Sequence, residues 1–229
     1  GPLTGVYLPS SGKNSFAAIS PATGLYGDSS MGGGFGVEIR QAGYDAITVV
    51  GKAAELSYLF IDDDNISVIP CPELKGKGNL ETEGRIREKI GDHAVRVASI
   101  GIAGENMVRF ACVTSDWSRN AGRTGIGAVM GSKNLKAIVV RGHQDLPVYD
   151  MDRVVGISER AYKELGEHYM MSQWQKQGLM QVIDYANAMG ILPTYNFRDT
   201  HWDKSKSING DVMLASHKIG NTACFGCPM

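Results

Sequence analysis

The sequence predicts an α+β protein in which a strand-rich amino-terminal domain, residues 1–147, is followed by a helical segment, residues 148–229. Short apolar runs of strand length, bounded by turn residues, fill the first part. Glycine makes up 29 of 229 residues, against a usual share of about 7%. The glycines cluster at the ends of those runs, which indicates tight turns or close contact between main chain and a ligand. Apolar residues at helical spacing begin only after Pro147.

Composition limits the classes of function. A length of 229 residues accommodates one large or two small domains with a real core. The net charge of −1 excludes a general attraction to nucleic acid or to an anionic membrane. No apolar run approaches the length of a membrane span, and no signal peptide is recognisable. The chain starts with Gly1-Pro2 and stops inside a cysteine motif, so we expect a fragment of a longer protein.

The strands of the first part are predicted from apolar runs that end at turn residues. A helix is predicted over residues 80–90 with Gly91 as its stop. The acidic residues 62–65 lack calcium-loop spacing and indicate a hairpin turn. The predicted strands are residues 46–51, 56–62, 66–70, 95–100, 109–114 and 137–140, besides strand and loop pieces within 3–22.

The second part has helical periodicity. Helices are predicted over residues 151–165 and 170–189, with Gly190 as a C-cap. Residues 191–208 have loop composition, and 212–219 form a last short apolar piece. The Met, Trp and Tyr residues of this part are more typical of helix packing than of a cofactor site.

The most informative stretch is residues 119–142, where glycines alternate with cations. Backbone N–H groups together with Arg and Lys indicate an anion site, most often for a phosphate. The order Gly131-Ser132-Lys133 does not fit a P-loop, and the space before the next strand is too short for a Rossmann crossover helix. A simple dinucleotide site and a tight structural corner with solvated charges remain as alternatives. The glycines are Gly122, Gly125, Gly127 and Gly131, and the cations are Arg119, Arg123, Lys133 and Lys136.

A second glycine cluster covers residues 29–36. Its three successive glycines fit a flexible linker or a ligand-binding loop. A helix that begins after Gly34 or Gly36 would direct free N–H groups at an anion.

The cysteines fall into two groups. Cys71 and Cys112 stand alone, and we assign them no role. Cys224-Phe-Gly-Cys227-Pro has the spacing of an iron–sulfur motif, a zinc half-site or a redox-active dithiol, and the residues alone leave the three open.

Seven sequence pieces, in order along the whole chain, are together typical of one family. They are Gly1-Pro-Leu-Thr-Gly5, Ser20-Pro-Ala-Thr-Gly24, Gly32-Gly33-x-Phe35-Gly36, Ala42-Gly43-Tyr44-Asp45, Gly101-x-Ala-Gly-Glu-Asn106, Ala121-Gly-Arg-x-Gly-x-Gly-Ala-Val-Met-Gly-Ser-Lys-Asn-Leu-Lys-Ala-Ile138 and Cys224-x-x-Cys227-Pro. On these pieces the chain resembles the tungsten- or molybdenum-pterin aldehyde:ferredoxin oxidoreductases.

The resemblance implies an amino-terminal α+β domain that forms a base beneath a metal–bis-pterin cofactor, with a helical domain after it. It implies main-chain carbonyls of Ser30 and Asn120 on a magnesium ion that bridges the pterin phosphates, and Cys224 and Cys227 as ligands of a [4Fe–4S] cluster. Lys13 stands where the family commonly has an Arg between cluster and pterin, and Lys lacks the bidentate fork. The implied cofactor-binding residues are Lys13, Ser29, Ser30, Met31, Gly32, Gly33, Arg119, Asn120, Ala121 and Gly122.

The function implied by the resemblance is oxidation of a small aldehyde to a carboxylic acid, with electron transfer to ferredoxin or a partner subunit. An anaerobe's cytoplasm is the implied location, a homo-oligomer is allowed, and neither a membrane nor nucleic acid is expected as a partner. The catalytic acid and base are expected in later segments, so no catalytic residue is assigned. The alternatives are the catalytic subunit of a related tungsten-dependent aromatic acyl-CoA reductase and, from a different class, a non-catalytic zinc-binding module.

Overall fold

The computed structural model describes all residues from 1 to 229. The chain divides into two compact units, Gly1–Val155 with Cys224–Cys227, and Gly156–Ala223 with Pro228–Met229. Two sheets and several helices confirm the α+β class. The domain limits 1–147 and 148–229 stay a prediction.

Eight strands form a two-stranded and a six-stranded sheet, all in the first unit. The small sheet pairs β1 with β2, and the large sheet has the order β4-β3-β8-β5-β6-β7. The strands are β1 Asn14–Ile19, β2 Tyr26–Met31, β3 Ser57–Asp62, β4 Asn65–Pro70, β5 Arg96–Ser99, β6 Val113–Ser115, β7 Arg119–Ala121 and β8 Leu135–Arg141.

Strand β8 is the centre of the large sheet. It runs parallel to β3 on one side and antiparallel to β5 on the other. Along β8, Ile138 and Val140 join one core cluster, whereas Ala137 and Val139 join the cluster on the opposite face. A strand that is covered on both faces has a continuous apolar sequence, which is why this run was predictable.

The other strands of the sheet follow from local signals. β3 and β4 form an antiparallel hairpin, with Asp62 opposite Asn65 across the predicted acidic turn. β6 and β7 are short, and the chain reverses between them at Asp116 and Trp117, both with positive φ.

Eight α-helices complete the structure, and none of them has the length and apolarity needed to cross a membrane. Three short 3₁₀ turns accompany them, at Pro72–Leu74, Gly178–Val182 and Ser205–Ile208. The helices are α1 Phe35–Gln41, α2 Asn79–Ile90, α3 Ile102–Glu105, α4 Ile126–Ser132, α5 Met151–Glu167, α6 Met171–Gln177, α7 Ile183–Ala188 and α8 Gly210–Ser216.

Helix α2 ends as its sequence predicts. Gly91 has φ +75° and ψ 14°, and its N–H donates to the carbonyls of Arg87 and Glu88. Glycine takes this left-handed conformation without a steric penalty, so it closes the helix. Ile86 on the inner face is 1% exposed and packs into the core beneath the sheet.

The Lys136–Glu105 ion pair is buried within this fold. The Lys136 side chain on β8 is fully buried, and its amine donates to the Lys77 carbonyl at 2.8 Å and pairs with Glu105 at the end of α3. The second oxygen of Glu105 accepts from the Gly76 N–H at 2.8 Å. The pair therefore connects the central strand, α3 and the loop before α2.

The structure corrects three predicted elements. Residues 46–51 belong to no strand, and the partly buried Ile47 and Val49 pack against the core. Within the predicted strand 109–114, pairing begins only at Val113. The predicted helix 170–189 is broken at Gly178, whose φ of +54° and ψ of −140° do not fit a helix. It becomes α6, a 3₁₀ turn and α7.

Candidate cofactor-binding site

The first glycine loop lies between β2 and α1. β2 ends with Ser29, Ser30 and Met31, and the loop Gly32–Gly34 leads from it into α1. Helix α1 begins at Phe35, directly after Gly34, which is one of the two helix starts that the sequence predicts. Ser30 is exposed and its hydroxyl lies 2.9 Å from that of Ser15. The Met31 side chain is 1% exposed and belongs to the core, so only its main chain is available to a ligand.

The second glycine stretch lies beside the first. β2 lies next to β7, and the Arg123 N–H donates to the buried Ser29 hydroxyl at 3.3 Å. A Cβ on Gly27 of β2 would fall 2.8 Å from the Cβ of Thr124. The two stretches, far apart in the sequence, therefore form one surface.

Two hydrogen bonds hold the Asn120 side chain of β7. Asn120 accepts from the Thr114 hydroxyl at 2.7 Å and donates to the Ser118 carbonyl at 3.0 Å. Ala121 is fully buried, and Gly122 after it is exposed. Because the Asn120 amide is already engaged on both its oxygen and its nitrogen, its main chain is the better candidate for ligand contact.

The paired cysteines lie against the first glycine loop. Cys224–Cys227 is a turn in which the Cys227 N–H donates to the Cys224 carbonyl at 3.1 Å, and Gly226 has φ +64°. The Phe225 N–H donates to the Gly33 carbonyl at 3.3 Å, and a Cβ on Gly32 would lie 2.6 Å from the Cys224 sulfur. Both thiols are free and partly buried. The motif is thus fixed beside Gly32 and Gly33.

Lys13 lies at the border of the same region. Its side chain is exposed and its main-chain carbonyl accepts from the Thr4 hydroxyl at 3.1 Å. The preceding Gly12 is buried, and a Cβ there would come within 2.6 Å of the Gly33 carbonyl and 2.9 Å of the Phe225 Cβ. Lys13 is therefore the residue next in sequence to Gly12, which lies where the glycine loop meets the cysteine turn.

A mostly apolar cavity of about 470 Å³ is lined by β1, α1 and α4. Phe16 of β1 and Phe35 of α1 stack in its wall with ring centroids 6.0 Å apart. Ile47 and Val49, which belong to no strand, also line it. Lys13 is the predicted site residue that reaches its rim.

Two family models match this chain. The family model "Aldehyde ferredoxin oxidoreductase, N-terminal domain" matches residues 1–142, and "Aldehyde ferredoxin oxidoreductase, domains 2 & 3" matches residues 156–229. The chain belongs to the aldehyde ferredoxin oxidoreductase family. This confirms the resemblance inferred from the sequence.

Individual relatives match all or most of the chain. The tungsten-containing aldehyde ferredoxin oxidoreductase of Pyrococcus abyssi is 40% identical over 100% of this chain and 38% of its own length. The aliphatic sulfonate oxidoreductase, WOR-like subunit, of Pyrococcus furiosus is 36% identical over 76% of this chain and 30% of its own length. The chain thus spans 38% of the length of the first of these relatives.

A solved structure has the same fold. It is the active site complex BamBC of benzoyl coenzyme A reductase in complex with 1,5-dienoyl-CoA, with a TM-score of 0.82 and 30% sequence identity. The match covers 99% of this chain and 36% of that one. The aldehyde ferredoxin oxidoreductase fold is therefore established for both units of the chain.

Sequence reasoning missed Asp116, which contacts the glycine loop of this aldehyde ferredoxin oxidoreductase domain, and its partner Arg96. Asp116 accepts from the Gly34 N–H at 2.6 Å and pairs with Arg96 at 3.0 Å. A side chain on Gly33 would collide with Asp116 and would approach the Arg119 Cγ to 3.1 Å. A single acidic residue in a turn has no distinguishing pattern, so only its position between β6 and β7 could have indicated it.

Proposed function

We propose that this chain is part of a tungsten–bis-pterin oxidoreductase that oxidises small aldehydes to carboxylic acids and passes the electrons to ferredoxin or an electron-transfer subunit. Relatives named as tungsten-containing aldehyde ferredoxin oxidoreductases, aligned over the entire chain, support this proposal. The observation that carries it is the convergence of Gly32–Gly33, β7 and the Cys224–Cys227 turn on one surface.

The chemistry of that surface fits a phosphate-bearing pterin. Side chains are excluded at Gly32 and Gly33, so main chain would face the ligand directly. The Arg119 side chain lies next to Gly33, and Arg123 is exposed beside Ser29. N–H groups and guanidinium groups stabilise phosphate charge. We assign pterin binding to Lys13, Ser29, Ser30, Met31, Gly32, Gly33, Arg119, Asn120, Ala121 and Gly122.

Two main-chain carbonyls are proposed to bind the magnesium ion that joins the phosphates. They belong to Ser30 and Asn120, whose side chains already contact Ser15 and Thr114. Magnesium prefers oxygen ligands and combines few protein groups with substrate phosphates. A carbonyl on each of the two neighbouring strands suits that requirement.

The cysteine turn fits two ligands of an iron–sulfur cluster. Cys224 and Cys227 are free thiols on one turn, and the contact with Gly32 fixes the first of them. When bound, a tungsten–pterin centre supplies two-electron redox chemistry and a [4Fe–4S] cluster supplies a one-electron relay. The role of this chain is to bind the two groups and orient them next to each other. Lys13 is proposed to lie between them, where a single ammonium group stabilises negative charge without a bidentate fork.

Metal analysis of the purified protein that carries this chain tests the proposal. We expect tungsten or molybdenum together with about four irons per chain, as one cubane cluster requires. Zinc as the sole metal would overturn the proposal and would favour the non-catalytic zinc module. Oxidation of aldehydes with a viologen dye as electron acceptor is the expected activity.

A second candidate is the catalytic subunit of a tungsten-dependent aromatic acyl-CoA reductase. The specific observation in its favour is the TM-score of 0.82 to the benzoyl coenzyme A reductase complex. Turnover separates the candidates, because a reductase would reduce an aromatic acyl-CoA with a strong reductant and would be inactive with aldehydes. We place the protein in an anaerobe's cytoplasm on the basis of the proposed low-potential centres.

A further inference from the structure

Asp116 lies at the junction of the two glycine stretches. One carboxylate oxygen accepts from the Gly34 N–H at 2.6 Å, and the other pairs with Arg96 at 3.0 Å. The carboxylate also fills the space where a Gly33 side chain would be. Three residues further along the chain, Arg119 opens β7 and packs against Gly33. Asp116 therefore accepts a hydrogen bond from the glycine loop while it stands in the turn that leads into the strand proposed to bind the pterin.

The main chain at Asp116 is held in an uncommon conformation. Asp116 has φ +47° and Trp117 has φ +64°, and consecutive non-glycine residues in this region cost free energy. Such a turn persists only where its surroundings hold it. The Ser118 N–H closes the turn by donating to the Asp116 carbonyl at 2.7 Å.

A buried ion pair on α2, Glu83–Arg87, contacts the turn at Trp117. Glu83 is 2% exposed; it accepts from the Trp117 N–H at 3.0 Å and from Arg87 at 2.8 Å. The Arg87 guanidinium lies 5.5 Å from the centre of the Trp117 ring. Helix α2 thus fixes the turn, and the turn fixes where the Asp116 carboxylate points.

The charge at Asp116 would oppose a phosphate if it stood alone. Arg96 neutralises it, and a Cβ on Gly34 would lie 3.1 Å from the Arg96 guanidinium carbon. The carboxylate can therefore act as a hydrogen-bond acceptor for the loop without making the surface repel anions.

We propose that Asp116 is a positioning residue that sets the spacing between the Gly32–Gly34 loop and the Arg119–Ala121 strand, and thereby determines how tightly the phosphates of the pterin are held. This inference rests on the proposed function. It assigns the residue no contact with the cofactor, only a hydrogen bond to the loop and a place in the turn that leads into the strand.

The test compares Asp116→Asn with Asp92→Asn in the purified, cofactor-loaded protein. Asp92 is a matched control, since it also accepts from a backbone N–H (Ala94, 2.7 Å) and from an arginine (Arg141, 2.7 Å). These contacts lie outside the Gly32–Gly34 loop and the Arg119–Ala121 strand. Asparagine at 116 keeps the size of the side chain but can satisfy only one of its two donors. The readouts are tungsten and iron per chain, the rate of tungsten release after dilution, and the thermal midpoint of unfolding.

We expect Asp116→Asn to release tungsten about tenfold faster than wild type while it keeps its iron, which corresponds to the loss of one charge-assisted hydrogen bond. Asp92→Asn should release tungsten at the wild-type rate. Glu83→Gln should shift tungsten release in the same direction by a smaller factor, because it loosens the turn without changing the carboxylate.

Unchanged tungsten release in Asp116→Asn would overturn the inference, as would a parallel loss of tungsten and iron with a lowered unfolding midpoint, which indicates general destabilisation. If the Asp116 variant does not fold, unchanged release from a folded Glu83→Gln variant also overturns it. A wild-type protein without tungsten overturns the proposed function and this inference together. A tungsten-loaded wild type with an unaffected Asp116 variant overturns this inference alone.

Discussion

The sulfur of Cys224 occupies the space that a side chain at Gly32 would need. An ideal Cβ on Gly32 would fall 2.6 Å from Sγ, whereas real Cβ atoms essentially never approach another atom to less than 3.0 Å. The identity of residue 32 and the position of the first cysteine are therefore coupled, although almost the entire chain separates them.

The first prediction is that Gly32→Ala weakens iron binding. A methyl group at position 32 must displace Cys224 or the glycine loop, and overpacking of this kind costs about 1–3 kcal/mol. We expect a lower iron content per chain and a weaker visible absorbance of the cluster. Gly84→Ala in α2 is the control, because a Cβ there has no neighbour within 4 Å.

For the control we expect full iron content and a small gain in stability, about 0.5–1 kcal/mol, since alanine is favoured over glycine inside a helix. If Gly32→Ala and Gly84→Ala retained the same amount of iron, the proposed link between the glycine loop and the cluster would be wrong.

The second prediction concerns the buried Lys136–Glu105 pair. Lys136→Met removes the positive charge and leaves the nearly buried Glu105 with only the Gly76 N–H, which should lower the free energy of unfolding by about 3–5 kcal/mol. Urea denaturation measures it. Lys163→Met is the control, because Lys163 and Glu167 are exposed and 3.9 Å apart, and it should change stability by less than about 0.5 kcal/mol.

The double variant Lys136→Met/Glu105→Gln should recover part of the lost stability, because no unpaired charge then stays buried. A Lys136→Met protein as stable as wild type would refute the role of the pair.

The third prediction concerns Gly178 between α6 and the following 3₁₀ turn. At φ +54° and ψ −140° an alanine is strained even though a Cβ has free space, so Gly178→Ala should cost about 1–3 kcal/mol. The matched control in the same unit is Gly156→Ala in α5, which also has free space around it and should gain about 0.5–1 kcal/mol. Equal thermal midpoints for the two variants would contradict the observed break in the helix.

The fourth prediction is a loss of stability at alkaline pH. Burial, with a smaller contribution from the nearby Glu73 carboxylate, raises the pKa of the Cys71 thiol from 9.0 to about 12. Between these values an unfolded chain ionises Cys71 while the folded protein keeps its proton, so folding stability is fully present below pH 9 and falls as the pH rises towards 12. The slope from this group is at most about 1.4 kcal/mol per pH unit.

Cys71→Ala should remove that slope, although the cavity lowers stability at every pH because Cys71 is fully buried in the second core cluster. Denaturation by urea at a series of pH values measures both effects. An identical decline with pH in wild type and variant would show that Cys71 does not titrate as described.

Local sequence signals were sufficient for the parts of the fold that depend on neighbours in the chain. The apolar run of β8, the acidic turn between β3 and β4 and the Gly91 stop of α2 all have short-range causes. Residues 46–51 have the same apolar pattern as a strand but find no partner, because strand pairing is decided by distant residues. The break at Gly178 was hidden because apolar residues continue at helical spacing on both sides of it.

The sequence likewise indicates those parts of the candidate site that are local motifs, and not the contacts between distant residues. Glycine clusters and a C-x-x-C spacing are visible in one dimension, and the structure brings Gly32, Gly33 and the cysteine turn together. The contact of Asp116 with Gly34 joins residues 82 positions apart, and no local pattern indicates it. Only the folded chain brings the two residues together.

The position of β8 also determines when the sheet can form during synthesis. β3, β4, β5, β6 and β7 all leave the ribosome before β8, yet β8 is the strand that joins the β3–β4 hairpin to the β5–β6–β7 group. At about 5–20 residues per second, the two groups wait for seconds with unpaired apolar edges. A truncated chain that ends before Leu135 keeps those edges permanently, so we expect it to aggregate or to bind chaperones.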